Sequence, residues 1–114
     1  MKSQISSLKK QKDFKSIIKG EKINNQYLTI FFRKLSDKSN KNLNISFVAK
    51  KKLGNAVKRN KVKRILRQIM MQILKISKIN LNYSYLFIAK KTIINAKFFD
   101  IKETILKDYK KIKW

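Results

Sequence analysis

Positive charge constrains this chain more than any other feature of its sequence. Thirty Lys and Arg residues stand against six Asp and Glu, which gives a formal net charge of +24 over 114 residues. A compact fold with this charge repels itself unless a polyanion is bound. Nucleic acid is the first candidate partner, because neutralised phosphates release counterions and dominate affinity. An anionic membrane surface is the second candidate.

The rest of the composition narrows the class of protein. Hydrophobic residues make up 43 % of the chain, so a core is feasible, and the length predicts one domain over residues 1–114. The absence of Cys and His removes disulfides, Cys/His metal sites and the usual general base. No apolar run resembles a signal peptide or a membrane span, so we expect a cytoplasmic protein without a membrane partner.

Hydrophobic periodicity predicts the element order α-β-β-α-β-α. The predicted helices cover residues 11–19, 55–75 and 98–111, and the predicted strands cover 27–35, 43–50 and 83–89. The first two strands are expected to pair as a long-looped hairpin. The third is nearly all apolar and is expected to be buried on both faces. Gly20 is expected to end the first helix in a left-handed conformation. The fold class is therefore α+β, a sandwich of helices on a small sheet.

Segment 51–67 is the most informative part of the sequence. It begins as a basic turn and continues into a helix that Asn55 can cap, and such a helix N-terminus favours phosphate. Three of the four arginines of the chain lie here, which indicates contacts that need the planar guanidinium fork. Arg59, Lys63 and Arg67 are spaced four apart and should form one ridge. The expected RNA-binding residues are Lys51, Lys52, Asn55, Lys58, Arg59, Asn60, Lys61, Lys63, Arg64 and Arg67.

This segment resembles the signature of the bacterial ribonuclease P protein family. The matching residues are Gly54-Asn55-Ala56-Val57, Arg59-Asn60-Lys61, Lys63-Arg64 and Arg67, and the likeness continues at Leu8-Lys9-Lys10, Asp13-Phe14 and Ile88-Ala89-Lys90-Lys91. The resemblance implies a ribosomal-protein-like fold with a left-handed crossover through the signature helix. It also implies a catalytic RNA subunit as partner, which removes the 5′ leader of precursor tRNA with Mg²⁺. The protein would supply no catalytic residue and would need no protein partner.

The resemblance further implies a cleft between the first helix and the sheet that holds the single-stranded leader. The expected cleft residues are Phe14, Ile18, Phe32 and Lys10, with Phe31 as the alternative to Phe32 by a one-residue shift. Aromatic rings there can stack on bases, although a buried Phe is equally a core residue. Ile18 stands where the family usually has a second cleft aromatic. Asn60 is the candidate for a contact with hydrated magnesium.

Other functions stay open at this point. A ribosomal or assembly protein would use the same basic helix without needing a cleft for single strands. A DNA-binding protein could place this helix in a major groove, but no preceding helix completes a helix-turn-helix. A membrane-active peptide fits least, because the strands imply a folded core. A protein-only nuclease is not expected, because the six carboxylates are scattered and form no acid–base pair.

Overall fold

The computed structural model describes residues 5–6, 17–34, 43–76 and 83–112. The strands are β1 (Ile5–Ser6), β2 (Glu21–Asn24), β3 (Leu28–Lys34), β4 (Leu43–Val48) and β5 (Tyr83–Ala89). The helices are α1 (Ala56–Ile76) and α2 (Phe98–Lys111), with short 3₁₀ helices at Lys51–Leu53 and Lys91–Asn95. None of the described helices combines the length and the apolarity needed to cross a bilayer.

The five strands form one mixed sheet in the order β1-β4-β5-β3-β2. β5 pairs antiparallel with β3 and parallel with β4, so it separates the two strands that were expected to pair as a hairpin. That prediction is wrong, because the most apolar strand needs a neighbour on each side and takes the centre of the sheet. β4, α1 and β5 form a parallel crossover unit. The hand of this crossover stays a prediction.

The main hydrophobic cluster lies on one face of the sheet, and Leu86 of β5 is buried on the other face. The register places Ile30 and Phe32 of β3 beside Phe87 and Tyr85 of β5, and these side chains pack with both helices in one buried cluster. This two-layer arrangement confirms the α+β class. α1 contributes the buried residues Val62, Leu66, Ile69, Met70 and Ile73.

The end of α1 departs from the apolar stripe that the sequence predicts. Helical periodicity puts Val62, Ile65, Leu66, Ile69, Ile73 and Ile76 on that stripe. Ile76 is nevertheless 64 % exposed, whereas Met70 is fully buried. Ile76 is the last residue of the helix. Met70 follows Leu66 by one helical turn and therefore lies on the buried side.

The segment before β2 is only partly described. Ile17 and Ile18 are helical, and the rest of the predicted first helix lies outside the described residues. Ile17 is buried while Ile18 is 50 % exposed, so the two do not share one apolar face. Gly54 is the only described residue with a positive φ, so the expected left-handed conformation of Gly20 is wrong. Gly20 instead provides space, since a Cβ there would lie 2.9 Å from the carbonyl oxygen of Phe32.

Candidate nucleic-acid interface

A basic turn connects β4 to α1. Leu53 is buried and anchors the turn in the core, while Lys51 and Lys52 beside it are exposed. Gly54 then adopts φ 139°, a conformation that side chains rarely adopt, and a Cβ there would lie 2.9 Å from Cδ of Lys58. The glycine therefore lets the chain turn sharply into the helix and keeps the basic turn next to the helix N-terminus.

Asn55 caps α1 as the sequence predicted. Its Oδ1 accepts a hydrogen bond from the backbone N–H of Lys58 at 2.9 Å, and its carbonyl accepts the N–H of Arg59 at 3.1 Å. The first turn of α1 contains no acidic residue. The positive end of the helix dipole therefore has no side-chain carboxylate against it in this turn, which favours a phosphate group from a ligand.

The outer face of α1 is cationic and accessible. Its core stripe faces the sheet, and the rest of the helix presents the exposed residues Asn60, Lys61, Lys63, Arg64 and Arg67. Lys58 and Val57 are also exposed, in the first turn of the helix, and Val57 has 76 % of its surface accessible. The structure thus leaves these predicted residues accessible on one rigid element.

Arg59 differs from the other members of the predicted ridge. It lies about two turns before Leu66, on the side of the helix that faces the core, and it is only partly exposed. Its Nε is buried and has no hydrogen-bond partner within the described part of the chain. An unpaired buried donor is costly, so a change in the Arg59 side chain that brings this N–H to an acceptor would be favourable.

A groove opens on the face of the sheet opposite the core. Its volume is about 430 Å³, within the usual range of ligand sites. No described acidic residue lines it, and its apolar floor comes from Phe31 and Ile88. The complete lining is Lys22, Asn24, Thr29, Phe31, Lys50, Lys52, Ile88, Ala89, Lys90 and Lys91. Five lysines around an aromatic ring suit an extended polyanion that carries bases.

The aromatic residue of the groove is Phe31, and the expectation for Phe32 is wrong in this structure. Phe32 is 6 % exposed, belongs to the core cluster and lies with its ring centroid 6.2 Å from that of Tyr83. A base cannot reach it there. Successive residues of a strand face opposite sides, so the alternative, Phe31, faces the groove. The sequence contained a signal for this outcome, because alternation puts Phe31 on the same face as the polar residues Thr29 and Arg33.

The remaining cleft expectations have mixed outcomes. Ile18 is accessible but does not line the groove, and Phe14 and Lys10 lie outside the described residues. Sequence reasoning assigned Lys52 to the catalytic-RNA surface, whereas the structure places it in the groove lining. It did not assign the groove lysines Lys22, Lys50, Lys90 and Lys91 to a site. The last two belong to the segment Ile88-Ala89-Lys90-Lys91, which resembles the family's sequence at the end of β5.

The described residues do not form a resident metal site. No three His, Cys, Asp or Glu residues come together in the part of the chain that the structure describes. Asn60 offers one neutral amide oxygen among exposed cations. Magnesium prefers carboxylates and phosphates, so this donor set does not fit a metal held by the protein alone.

The two basic surfaces are continuous with each other. Lys50 and Lys52 line the groove, and three residues after Lys52 Asn55 caps α1. A ligand in the groove therefore ends close to the helix N-terminus, and one nucleic-acid assembly can contact both surfaces.

Comparison with known proteins gives one consistent family. The family model described as Ribonuclease P matches residues 2–113. The ribonuclease P protein component of Fusobacterium nucleatum is 34 % identical over 114 residues, covering 96 % of this chain and 98 % of that protein. The component from Nitratiruptor is 32 % identical over 110 residues, covering 96 % and 94 %.

Solved structures agree with this result. The ribonuclease P protein of Thermotoga maritima superposes with a TM-score of 0.79 at 26 % identity, covering 96 % of this chain and 99 % of that one. The protein of Staphylococcus aureus gives 0.72 at 28 % identity, with 92 % of each chain covered. With the capped basic helix and the mixed sheet already established, these matches show that the chain belongs to the ribonuclease P protein family.

Proposed function

We propose that this chain binds the catalytic RNA of ribonuclease P through α1 and the preceding turn, and holds the 5′ leader of precursor tRNA in the groove. Membership of the family already implies an RNA partner and a role in tRNA processing. The observation that carries the finer proposal is the lysine-lined groove around Phe31, which adjoins the start of α1. The RNA subunit would perform the cleavage with Mg²⁺, in the bacterial cytoplasm.

The chemistry of α1 suits a structured RNA backbone. Arg64 and Arg67 present guanidinium forks that can bind phosphate oxygens in pairs, and the helix holds them at a fixed spacing. The capped N-terminus adds backbone N–H groups and the helix dipole. These contacts recognise shape and phosphate positions, which fits a folded RNA partner.

The groove suits a single strand. Lys22 on one side and Lys50 on the other can neutralise successive phosphates, while the ring of Phe31 offers a stacking surface for a base. A duplex keeps its bases stacked on each other and presents none to such a ring. This feature favours leader binding over the ribosomal or assembly interpretation, which has no need for it.

Leader binding gives the protein a defined role in turnover. Precursor tRNA carries the leader and mature tRNA does not, so contacts in the groove stabilise the substrate complex and are lost with the product. The protein would thereby raise affinity for precursor over product without supplying a catalytic group.

Processing of a precursor tRNA at low Mg²⁺ tests the proposal, with the cognate RNA alone and with the protein added. We expect the protein to restore cleavage at the mature 5′ end. Phe31→Ala should weaken precursor binding by about 5- to 150-fold, the value of one base–aromatic stack, and leave affinity for the catalytic RNA unchanged. Arg67→Ala should weaken catalytic-RNA binding instead.

Phe99→Ala is the matched control, because Phe99 is 65 % exposed on α2 and does not line the groove. It should change neither affinity. A protein that binds the RNA yet alters neither cleavage nor precursor affinity would favour the ribosomal or assembly function. Equal effects of Phe31→Ala and Arg67→Ala on catalytic-RNA affinity would contradict the division between the two surfaces.

A further inference from the structure

A buried carboxylate connects α2 to the turn between β2 and β3. Asp108 is only 5 % exposed, and its Oδ2 accepts a hydrogen bond from Nδ2 of Asn25 at 2.7 Å. Burying a carboxylate is costly unless its hydrogen bonds are satisfied. Although the chain has thirty Lys and Arg residues, this carboxylate is hydrogen-bonded to the side-chain amide of Asn25, a residue of the turn. The turn is therefore the structure that Asp108 holds in place.

The other end of the Asn25 amide shapes that turn. Oδ1 accepts hydrogen bonds from the backbone N–H of Tyr27 at 2.8 Å and of Leu28 at 2.9 Å. The backbone N–H of Asn25 donates to the carbonyl of Leu28 at 3.0 Å. Such side-chain contacts fix turn geometry. Asp108 holds Nδ2, so the amide cannot rotate, and its oxygen stays on the turn.

The same turn holds Lys90, which lines the groove. The ammonium of Lys90 donates to the carbonyl oxygen of Asn25 at 2.7 Å, and its backbone N–H donates to the carbonyl of Tyr27 at 2.8 Å. The hydroxyl of Thr92 donates to the carbonyl of Gln26. The turn thus fixes one wall of the groove through backbone carbonyls that Asn25 orients.

We propose that Asp108 and Asn25 are positioning residues that set the place of the Lys90 ammonium for binding the leader. The inference rests on the proposed function. Neither residue lines the groove, so both act through Lys90. An ammonium has three N–H groups, and the bond to Asn25 leaves two for phosphate oxygens. A side chain held in this way loses less conformational entropy when the leader binds.

The test measures how affinity of the reconstituted holoenzyme depends on leader length. Precursors with a long leader and with a single leader nucleotide are compared for each variant. Asp108→Leu should reduce the preference for the long leader by about three- to tenfold, the scale of one lost hydrogen bond. In a Lys90→Gln background, the same substitution should have no further effect on this preference.

Exchanging the two polar groups keeps the test valid if Asp108→Leu folds poorly. Asn25→Asp alone places two carboxylates against each other and should reduce the long-leader preference at least as much as Asp108→Leu does. Asn25→Asp combined with Asp108→Asn restores one donor and one acceptor and leaves an oxygen for the N–H groups of Tyr27 and Leu28. This double variant should recover the preference.

Ile73→Val, a truncation in the core on α1, controls for lost stability and should leave the preference intact at a lowered melting temperature. If Asp108→Leu behaves like Ile73→Val, the positioning role is wrong. It is also wrong if Asp108→Leu reduces the preference for the long leader as much in the Lys90→Gln background as in the wild type. If the wild-type holoenzyme shows no leader-length dependence at all, the proposed function itself fails, which distinguishes the two failures.

Discussion

The hydroxyl of Tyr109 is buried in the core without a hydrogen-bond partner among the described residues. Its ring meets that of Tyr85 edge-on, with centroids 5.6 Å apart. Burial raises the pKa of both phenols above the usual value, and a smaller contribution comes from Tyr83 to the shift of Tyr85 and from Tyr85 to that of Tyr109. The phenols therefore stay neutral, and the ring of Tyr109 serves packing while its hydroxyl is an unpaired polar group.

Tyr109→Phe should raise the free energy of unfolding by about 1 kcal/mol, because it removes a buried hydroxyl that has no partner. Above pH 10 the unfolded phenol loses its proton while the folded one keeps it, so the unfolded state binds fewer protons and stability falls as pH rises. This fall should be smaller in Tyr109→Phe. Urea unfolding at neutral and alkaline pH measures both effects, and identical pH slopes in the two proteins would contradict the assignment.

Phe31 and Phe32 show what the sequence holds at this scale and what it does not. Alternation puts Phe32 on the apolar face of Leu28 and Ile30, and Phe31 on the face of Thr29 and Arg33. Local alternation does not show that a groove forms on the second face, because Lys50, Lys90 and Lys91 reach it from distant segments. The basic residues of α1 were predictable, because a helix with one apolar stripe exposes the remainder. The partial burial of Arg59 follows from the same periodicity, because Arg59 lies about two turns before the buried Leu66.

Among the elements, the long and periodic ones matched prediction best. β5 and α2 have the predicted bounds, and α1 begins one residue after its predicted cap. β2 was missed, because Glu21, Lys22 and Asn24 have little intrinsic preference for strands. It forms by pairing with β3, from Glu21 opposite Phe32 to Asn24 opposite Thr29. Pairing between distant segments also places β5 between β3 and β4. This strand order cannot be predicted from local sequence patterns.

Substitutions of Asn55, the cap of α1, can distinguish its contribution to helix stability from its contribution to RNA binding. Asn55→Ala removes the oxygen that accepts the Lys58 N–H and should lower the free energy of unfolding by about 1 kcal/mol. Asn55→Asp keeps that oxygen and adds a charge favourable to the helix dipole, so stability should be retained. Its affinity for the catalytic RNA should fall nonetheless, because a carboxylate occupies the position that favours phosphate. Thermal unfolding and RNA titration measure the two effects.

Gln72→Glu is the matched control for this prediction. It introduces the same charge at an exposed position in the second half of α1, away from the cap. We expect it to weaken RNA binding less than Asn55→Asp does. If the two substitutions weaken binding equally, general repulsion accounts for the loss, and a phosphate site at the helix N-terminus is not supported.

In the described part of the molecule, two cationic surfaces lie on different sides of one apolar core. α1 carries one surface on the helical layer, and the groove carries the other on the opposite face of the sheet. The basic turn that contains Lys51 and Lys52 joins them. This arrangement allows simultaneous contact with two parts of an RNA assembly. Without a polyanion, the same charges repel one another and lower the stability of the free protein.

Multivalent anions should therefore stabilise the free protein beyond their effect on ionic strength. A ligand that binds only the folded state adds about 2.7 kcal/mol when its concentration is a hundred times its dissociation constant. Screening depends only on ionic strength, so sulfate and chloride matched in ionic strength should screen equally. Sulfate also stabilises folded proteins in general because it is excluded from their surface, so the informative quantity is the difference between variants. We expect a higher melting temperature in sulfate, with a smaller sulfate-specific increase for Asn55→Asp than for Gln72→Glu. Coincident melting curves in the two salts would mean that the charge is merely screened and that neither surface binds discrete anions.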